Sequence, residues 1–131
     1  MNRRHVLAIA CVFATAAFTG CGQKDQSASE QYATTLTDGG VPSQGREKIM
    51  VYGCSGCHTI PGVPDADALI APPLTKMANR NYVGGVMKNT PQNLIRWIQN
   101  PPAIDDKTAM PNLHVTESDA RDIASYLYTL R

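Results

Sequence analysis

Apolar residues in this chain fall into one nearly unbroken run, Val6 to Phe18, and several short stretches after residue 45 where they recur at helical intervals. The run is too short for an ordinary membrane span, and Arg3 and Arg4 precede it while small residues follow, the pattern of an export signal covering residues 1–20. Farther on, Ile49 and Met50 mark a short helix near 46–52. Thr90-Pro91 is an N-cap followed by proline at the first helical position, and Leu94, Ile95, Trp97 and Ile98 follow before Pro101-Pro102 end the segment. The last helix opens on Thr116-Glu117-Ser118-Asp119, a capping box with Asp in place of Glu, and sets Ile123, Ala124, Leu127 and Leu130 on one face. No stretch alternates with the period of a strand, and no internal repeat is present, so the expected class is all-α.

Between the signal and the first helix, residues 22–44 are Gln, Ser, Ala, Thr, Asp and Gly with scattered apolar positions. That composition predicts a flexible linker over 21–44, on the order of 25 Å root-mean-square and roughly 75 Å when stretched. The expected organisation is therefore a signal (1–20), a linker (21–44) and one helical domain (45–131), with 111 residues left after cleavage. A core of that size is marginal unless something else supplies apolar surface.

Residues 54–58 read Cys-Ser-Gly-Cys-His, the CxxCH signature. Two cysteines three apart on a helical turn place both sulfurs on one side, where they can form thioethers with the two vinyl groups of a haem. His58 then offers a neutral nitrogen to the iron. CxxC is also half of a zinc site or a thioredoxin-like pair, but zinc needs two further ligands and the downstream chain offers only His114. A dithiol enzyme needs a βαβ context that the flanks lack. One covalent haem c per chain is the expected cofactor, and its apolar faces are what the short helices wrap.

The four cysteines then divide cleanly. Cys11 leaves with the signal, Cys54 and Cys57 take haem, and Cys21 stands in Phe18-Thr19-Gly20-Cys21, which resembles a bacterial lipobox with Phe at the usual leucine. Cys21 is the expected lipidation site, which predicts a protein tethered to the periplasmic side of a bacterial inner membrane; the alternative is a soluble periplasmic protein. The Arg3-Arg4 pair faintly resembles a twin-arginine signal, but haem is attached after export to an unfolded chain, so general secretion is the expected route.

What fills the sixth iron position decides the function. Met50, Met77, Met87, Met110 and His114 are the candidates, and packing is the default for a methionine. Met110 stands apart because it lies 52 residues beyond His58, in a proline-bounded loop long enough to cross the far haem face. Axial His and Met raise the potential.

These residues resemble the small class I c-type cytochromes. GCSGCHTI (53–60), APPL (71–74), WIQNP (97–101), TAMPNL (108–113) and the terminal IASYLYTL carry the resemblance over nearly all of 45–131, and 89–130 looks like bacterial cytochromes that accompany or are fused to haem-copper terminal oxidases. The resemblance implies a small cytochrome c fold of three or more short helices around one haem. It implies that Pro72 offers its carbonyl to the proximal His58, with Ala71 in place of the usual glycine. It sets Trp97 beside the haem near the methionine loop, and makes Gly45 the glycine at which the two terminal helices cross. It also implies an electron carrier and not an enzyme, whose partners are membrane redox proteins such as a terminal oxidase or a dehydrogenase. A haem enzyme or gas-binding protein with a displaceable sixth ligand is the alternative.

Charge refines the picture last. No acid occurs between Asp67 and Asp105, while Lys76, Arg80, Lys88 and Arg96 do, so this stretch suits the two haem propionates, with Arg80 and Tyr82 as the expected donors. Residues 45–131 carry nine Lys and Arg against eight Asp and Glu, a balance that excludes strong charge steering and predicts no nucleic-acid partner. Docking is expected through a small apolar patch around the haem edge.

Overall fold

The computed structural model describes residues 21–131, with side chains from residue 26 onward. The predicted signal, 1–20, lies outside the described residues. Four helices dominate: α1 (Cys21–Leu36), α2 (Pro42–Val51), α3 (Pro91–Gln99) and α4 (Glu117–Thr129). Single 3₁₀ turns at Cys54–Gly56, Met77–Asn79 and Pro101–Ala103 punctuate the connections. The all-α expectation holds, with a small addition: β1 (Tyr82–Val83) and β2 (Met87–Lys88) pair antiparallel, Tyr82 opposite Lys88 and Val83 opposite Met87. Gly84 and Gly85, both at positive φ, make the turn.

α3 and α4 form where their caps predict. The Thr90 side chain accepts from the Asn93 amide at 3.2 Å, and the Thr116 side chain accepts from the Asp119 amide at 3.2 Å. α2 begins four residues earlier than its apolar pattern suggests, because its cap comes from a distant partner. The Val41 amide donates to Asp122 Oδ1 of α4 at 2.8 Å, and Pro42 takes the first turn, where no amide is needed.

α2 and α4 cross at Gly45, which is buried against the backbone of Asp122 and Ile123. A Cβ at Gly45 would overlap the Asp122 carbonyl. The crossing is locked on both sides: Tyr52 donates to Asp119 Oδ2 at 2.7 Å, Lys48 pairs with Asp119 Oδ1 at 3.0 Å, and Ser125 Oγ donates to the Gly40 carbonyl at 3.0 Å. Around it lies the core of Ile49, Ile60, Leu94, Trp97, Ile98, Ile123, Leu127 and their neighbours, each large aliphatic contributing about 2 kcal/mol by burial.

The predicted free linker is not observed over most of its length. α1 packs on α4, with Ala33 fully buried and Leu36 half-buried. Thr37, also buried, returns its hydroxyl to the Ala33 carbonyl at 2.8 Å. Arg121 of α4 then reaches both the carbonyl and the carboxylate of Asp38, and Arg131 lies 4.9 Å from the Tyr32 ring centroid. The docking face is built from small residues, Ser29, Ala33 and Thr37 with Leu36, so close approach substitutes for the bulky stripe that marks a helix in sequence.

Gly45→Ala is expected to destabilise the fold by about 3 kcal/mol, because two helix backbones must separate to admit a methyl group; the urea midpoint measures it. The Tyr52 hydroxyl and then Lys48 hold the Asp119 carboxyl below the ordinary carboxylate range, while Asp119 holds Lys48 above the ordinary lysine value. A carboxyl depressed by folding contributes fully above its unfolded value, about 4, and the contribution is lost as pH falls through the folded value. Asp119→Asn should therefore lower Tm at neutral pH and flatten the fall of Tm in acid. Parallel acid profiles for the two proteins would reject that linkage.

Candidate haem-attachment site

The turn that carries the two cysteines begins where α2 stops. Gly53 adopts φ +71, a left-handed conformation that costs glycine little, and swings the chain into the 3₁₀ turn of Cys54–Gly56. The amides of Cys57 and His58 both return to the Cys54 carbonyl, at 3.2 and 3.1 Å, so two thiols and an imidazole issue from one tight turn. All three side chains are half-buried, and Cys54 and Cys57 are not joined to each other. Burial pushes the Cys54 thiol up, away from thiolate. A neutral thioether suits that desolvated position better than a thiolate metal ligand does.

A second segment runs beside this turn and fixes the imidazole. Thr59 bridges to Asp67, the Ile60 amide reaches the Ala66 carbonyl at 2.8 Å, and Thr59 Oγ1 donates to the Ala68 carbonyl at 2.9 Å, closing a loop. Arg46 of α2 and Tyr126 of α4 tie that loop down at the carbonyls of Gly62 and Pro61. The returning chain is pinned by Ala71 N–H to Cys57 O and Leu74 N–H to Thr59 O, both at 2.8 Å. Between these two bonds the Pro72 carbonyl stands 2.7 Å from His58 Nδ1. A carbonyl can only accept, so the proton is on Nδ1 and the lone pair of Nε2 is left for a metal. Alanine at position 71 accommodates this geometry.

The remaining predicted residues occupy distinct places. Arg80 is half-buried and its Nη2 donates to the carbonyls of Pro73 and Thr75, the latter at 3.1 Å. Arg80 and the exposed Tyr82 line a cleft of about 380 Å³ together with Asn81, Lys88, Asn89 and Thr90. Sequence reasoning counts Lys88 among the cations of the acid-free stretch without giving it a role, and Asn89 is not singled out at all. Trp97 is buried beneath the β1–β2 turn, its ring so close to Gly84 that a Cβ there would lie 2.5 Å away. Met77 is buried in the core, and Met50 lies exposed on α2. Met87 and Met110 are half-buried against the core, and His114 is exposed at φ +56. Cys21 is the first residue of α1, but its side chain lies outside the described set.

A separate cleft of about 220 Å³ between α1, α3 and α4, lined by Leu36, Ile95, Arg96 and Arg121 among others, includes none of Cys54, Cys57 and His58. Among the described residues no group of three or more His, Cys, Asp or Glu is placed to hold a metal ion, so a zinc reading of the cysteines has no ligand set. Two thiols on one turn with an imidazole presenting Nε2 fit a haem held through its vinyl groups and its iron. Among the described residues no helix is long and apolar enough to cross a membrane.

Comparison with known proteins identifies the family. The chain is 29% identical over 92 residues to the cytochrome c oxidase subunit 2 of Alkalihalophilus pseudofirmus, a match that takes in 70% of this chain and 26% of that protein. The chain thus spans about a quarter of the length of that relative. No solved structure gives a significant match. The family model for cytochrome c matches residues 44–131, starting one residue before the α2–α4 crossing glycine, and the chain belongs to the cytochrome c family.

Proposed function

We propose that this chain is an exported monohaem cytochrome c, lipid-anchored at Cys21 on the periplasmic side of a bacterial inner membrane. It passes single electrons between membrane redox proteins, with a terminal oxidase as the acceptor. Cytochromes c carry haem c covalently and generally serve as electron carriers, not as enzymes. The observation that carries the reading is the bond from His58 Nδ1 to the Pro72 carbonyl, which leaves Nε2 available beside two free thiols. The similarity to an oxidase subunit over a quarter of its length supports the choice of acceptor.

In this reading Cys54 and Cys57 would hold the porphyrin, His58 would hold its iron, and the haem would supply one-electron redox chemistry. Met110 would hold the iron from the other side. Its support is by place: Met77 is committed to the core, Met87 is held in β2 opposite Val83, and Met50 and His114 face solvent. Met110 is half-buried in the loop between the Pro101–Ala103 turn and α4, as the family's methionine loop requires. Arg80 and Tyr82 supply donors to the propionates, and Lys88 adds a cation in the same cleft. Leu69 and Ile70, 84% and 80% exposed and immediately before Ala71-Pro72, are the apolar docking patch.

Two measurements test this. The purified haem protein should show a weak far-red methionine–iron band, absent in Met110→Ala, and no response of the reduced native protein to carbon monoxide. Rapid carbon monoxide binding by the native protein would replace the carrier reading with a ligand-binding one. Leu69→Ser with Ile70→Ser should cut kcat/KM with a membrane oxidase by roughly fivefold, about 1 kcal/mol of docking energy. That rate should depend only weakly on salt; a steep fall would shift the docking site to charged residues.

A further inference from the structure

The bond from His58 to Pro72 is only as firm as the backbone that presents the carbonyl. Pro72 is followed by Pro73, and neither has an amide proton, so between the pinned amides of Ala71 and Leu74 the segment has no N–H of its own to hold it. Its carbonyls must be held instead. Arg80 does this: both hydrogens of Nη2 are used, on the carbonyls of Pro73 and Thr75. Arg80 is held in turn. Asn89 Nδ2 donates to the carbonyls of Met77 at 2.8 Å and of Arg80 itself at 3.0 Å, bracketing the 3₁₀ turn that sets the arginine's position. Asn89 Oδ1 accepts from the Tyr128 hydroxyl at 2.9 Å, and Tyr128 is a buried residue of α4 whose hydroxyl burial pushes up to about 12. A continuous set of hydrogen bonds therefore runs from the C-terminal helix through Asn89 and Arg80 to the segment that orients the proximal imidazole.

We propose that Arg80 and Asn89 are positioning residues for His58: they set the strength of the His58–Pro72 bond and, through it, the reduction potential of the haem. The proposal rests on the haem reading above and gives Arg80 a second task beside its charge. The two tasks have opposite signatures. A firm Nδ1–H bond makes the imidazole a stronger donor and favours ferric iron, so loosening it raises the potential. Loss of a cation near the haem disfavours the added electron and lowers the potential. Asn89→Ala changes no charge and isolates the first effect.

The experiment compares native holoprotein with Asn89→Ala and Arg80→Leu, reading the midpoint potential and the solvent exchange of the His58 Nδ1 proton by NMR of the reduced protein. Exchange should quicken roughly tenfold or more in both variants, the scale of one lost hydrogen bond, and the potential of Asn89→Ala should rise. Unchanged Nδ1 exchange in Asn89→Ala, or a lowered potential there, overturns the proposal. Should either variant fail to fold, Tyr128→Phe removes only the hydroxyl that fixes Asn89 and is read by the same two criteria. Native protein without haem on Cys54 and Cys57, or without His58 on the iron, would overturn the cytochrome reading as well. Haem correctly attached with His58 exchange unmoved would overturn this inference alone.

Discussion

At Gly45 the backbone of α2 rests directly on the backbone of Asp122 and Ile123 in α4, with no side chain between them. Much of the fold is arranged from that approach. It brings Asp122 to the Val41 amide, which starts α2, and Asp119 to Tyr52 and Lys48, near the helix's end. α2 in turn delivers Gly53 and the cysteine turn, so the site is positioned by a contact between two elements that are far apart in sequence. The same α4 supplies Ser125 to Gly40, Arg121 to Asp38 and Tyr128 to Asn89. One helix thus organises the segment before α2 on one side and the residues just after β2 on another.

What the sequence reveals follows from where each element's information resides. α3 and α4 are legible because Thr90 and Thr116 cap them with their own side chains and their apolar faces are bulky. The start of α2 is not, because its capping carboxylate comes from Asp122, 81 residues away. α1 is missed for a different reason. Its buried face is Ala33 with Ser29, Thr37 and Leu36, a set whose composition reads as linker until a close-fitting partner is known. The β1–β2 pair is missed because two residues per strand are too few to display alternation.

At the site, the chemistry is local and the support is not. Cys54, Cys57 and His58 announce themselves by spacing, and resemblance puts Pro72 opposite the imidazole, where the structure has it. Arg80 is legible as a cation in an acid-free stretch, which points toward a carboxylate partner. Its bonds to the Pro73 and Thr75 carbonyls could not be read that way, since backbone acceptors leave no mark on residue type. Asn89 is quieter still: a single amide that satisfies both donors and its acceptor on three different residues, with nothing in its neighbours to signal it.

The docking of α1 alters how such a domain would meet its partners. A flexible tether lets a haem domain sample many orientations and reach sites tens of ångströms from its anchor. Here α1 is packed on α4 through Ala33 and Leu36, so a lipid on Cys21 would be attached to the first residue of a helix about 24 Å long that moves with the domain. With the anchor proposed above, rotation about it would be restricted, and the face turned toward the bilayer would be set by the fold. Encounter with a membrane partner would become a two-dimensional search by a body of fixed attitude, in which lateral diffusion within the membrane would take over the task a longer leash performs.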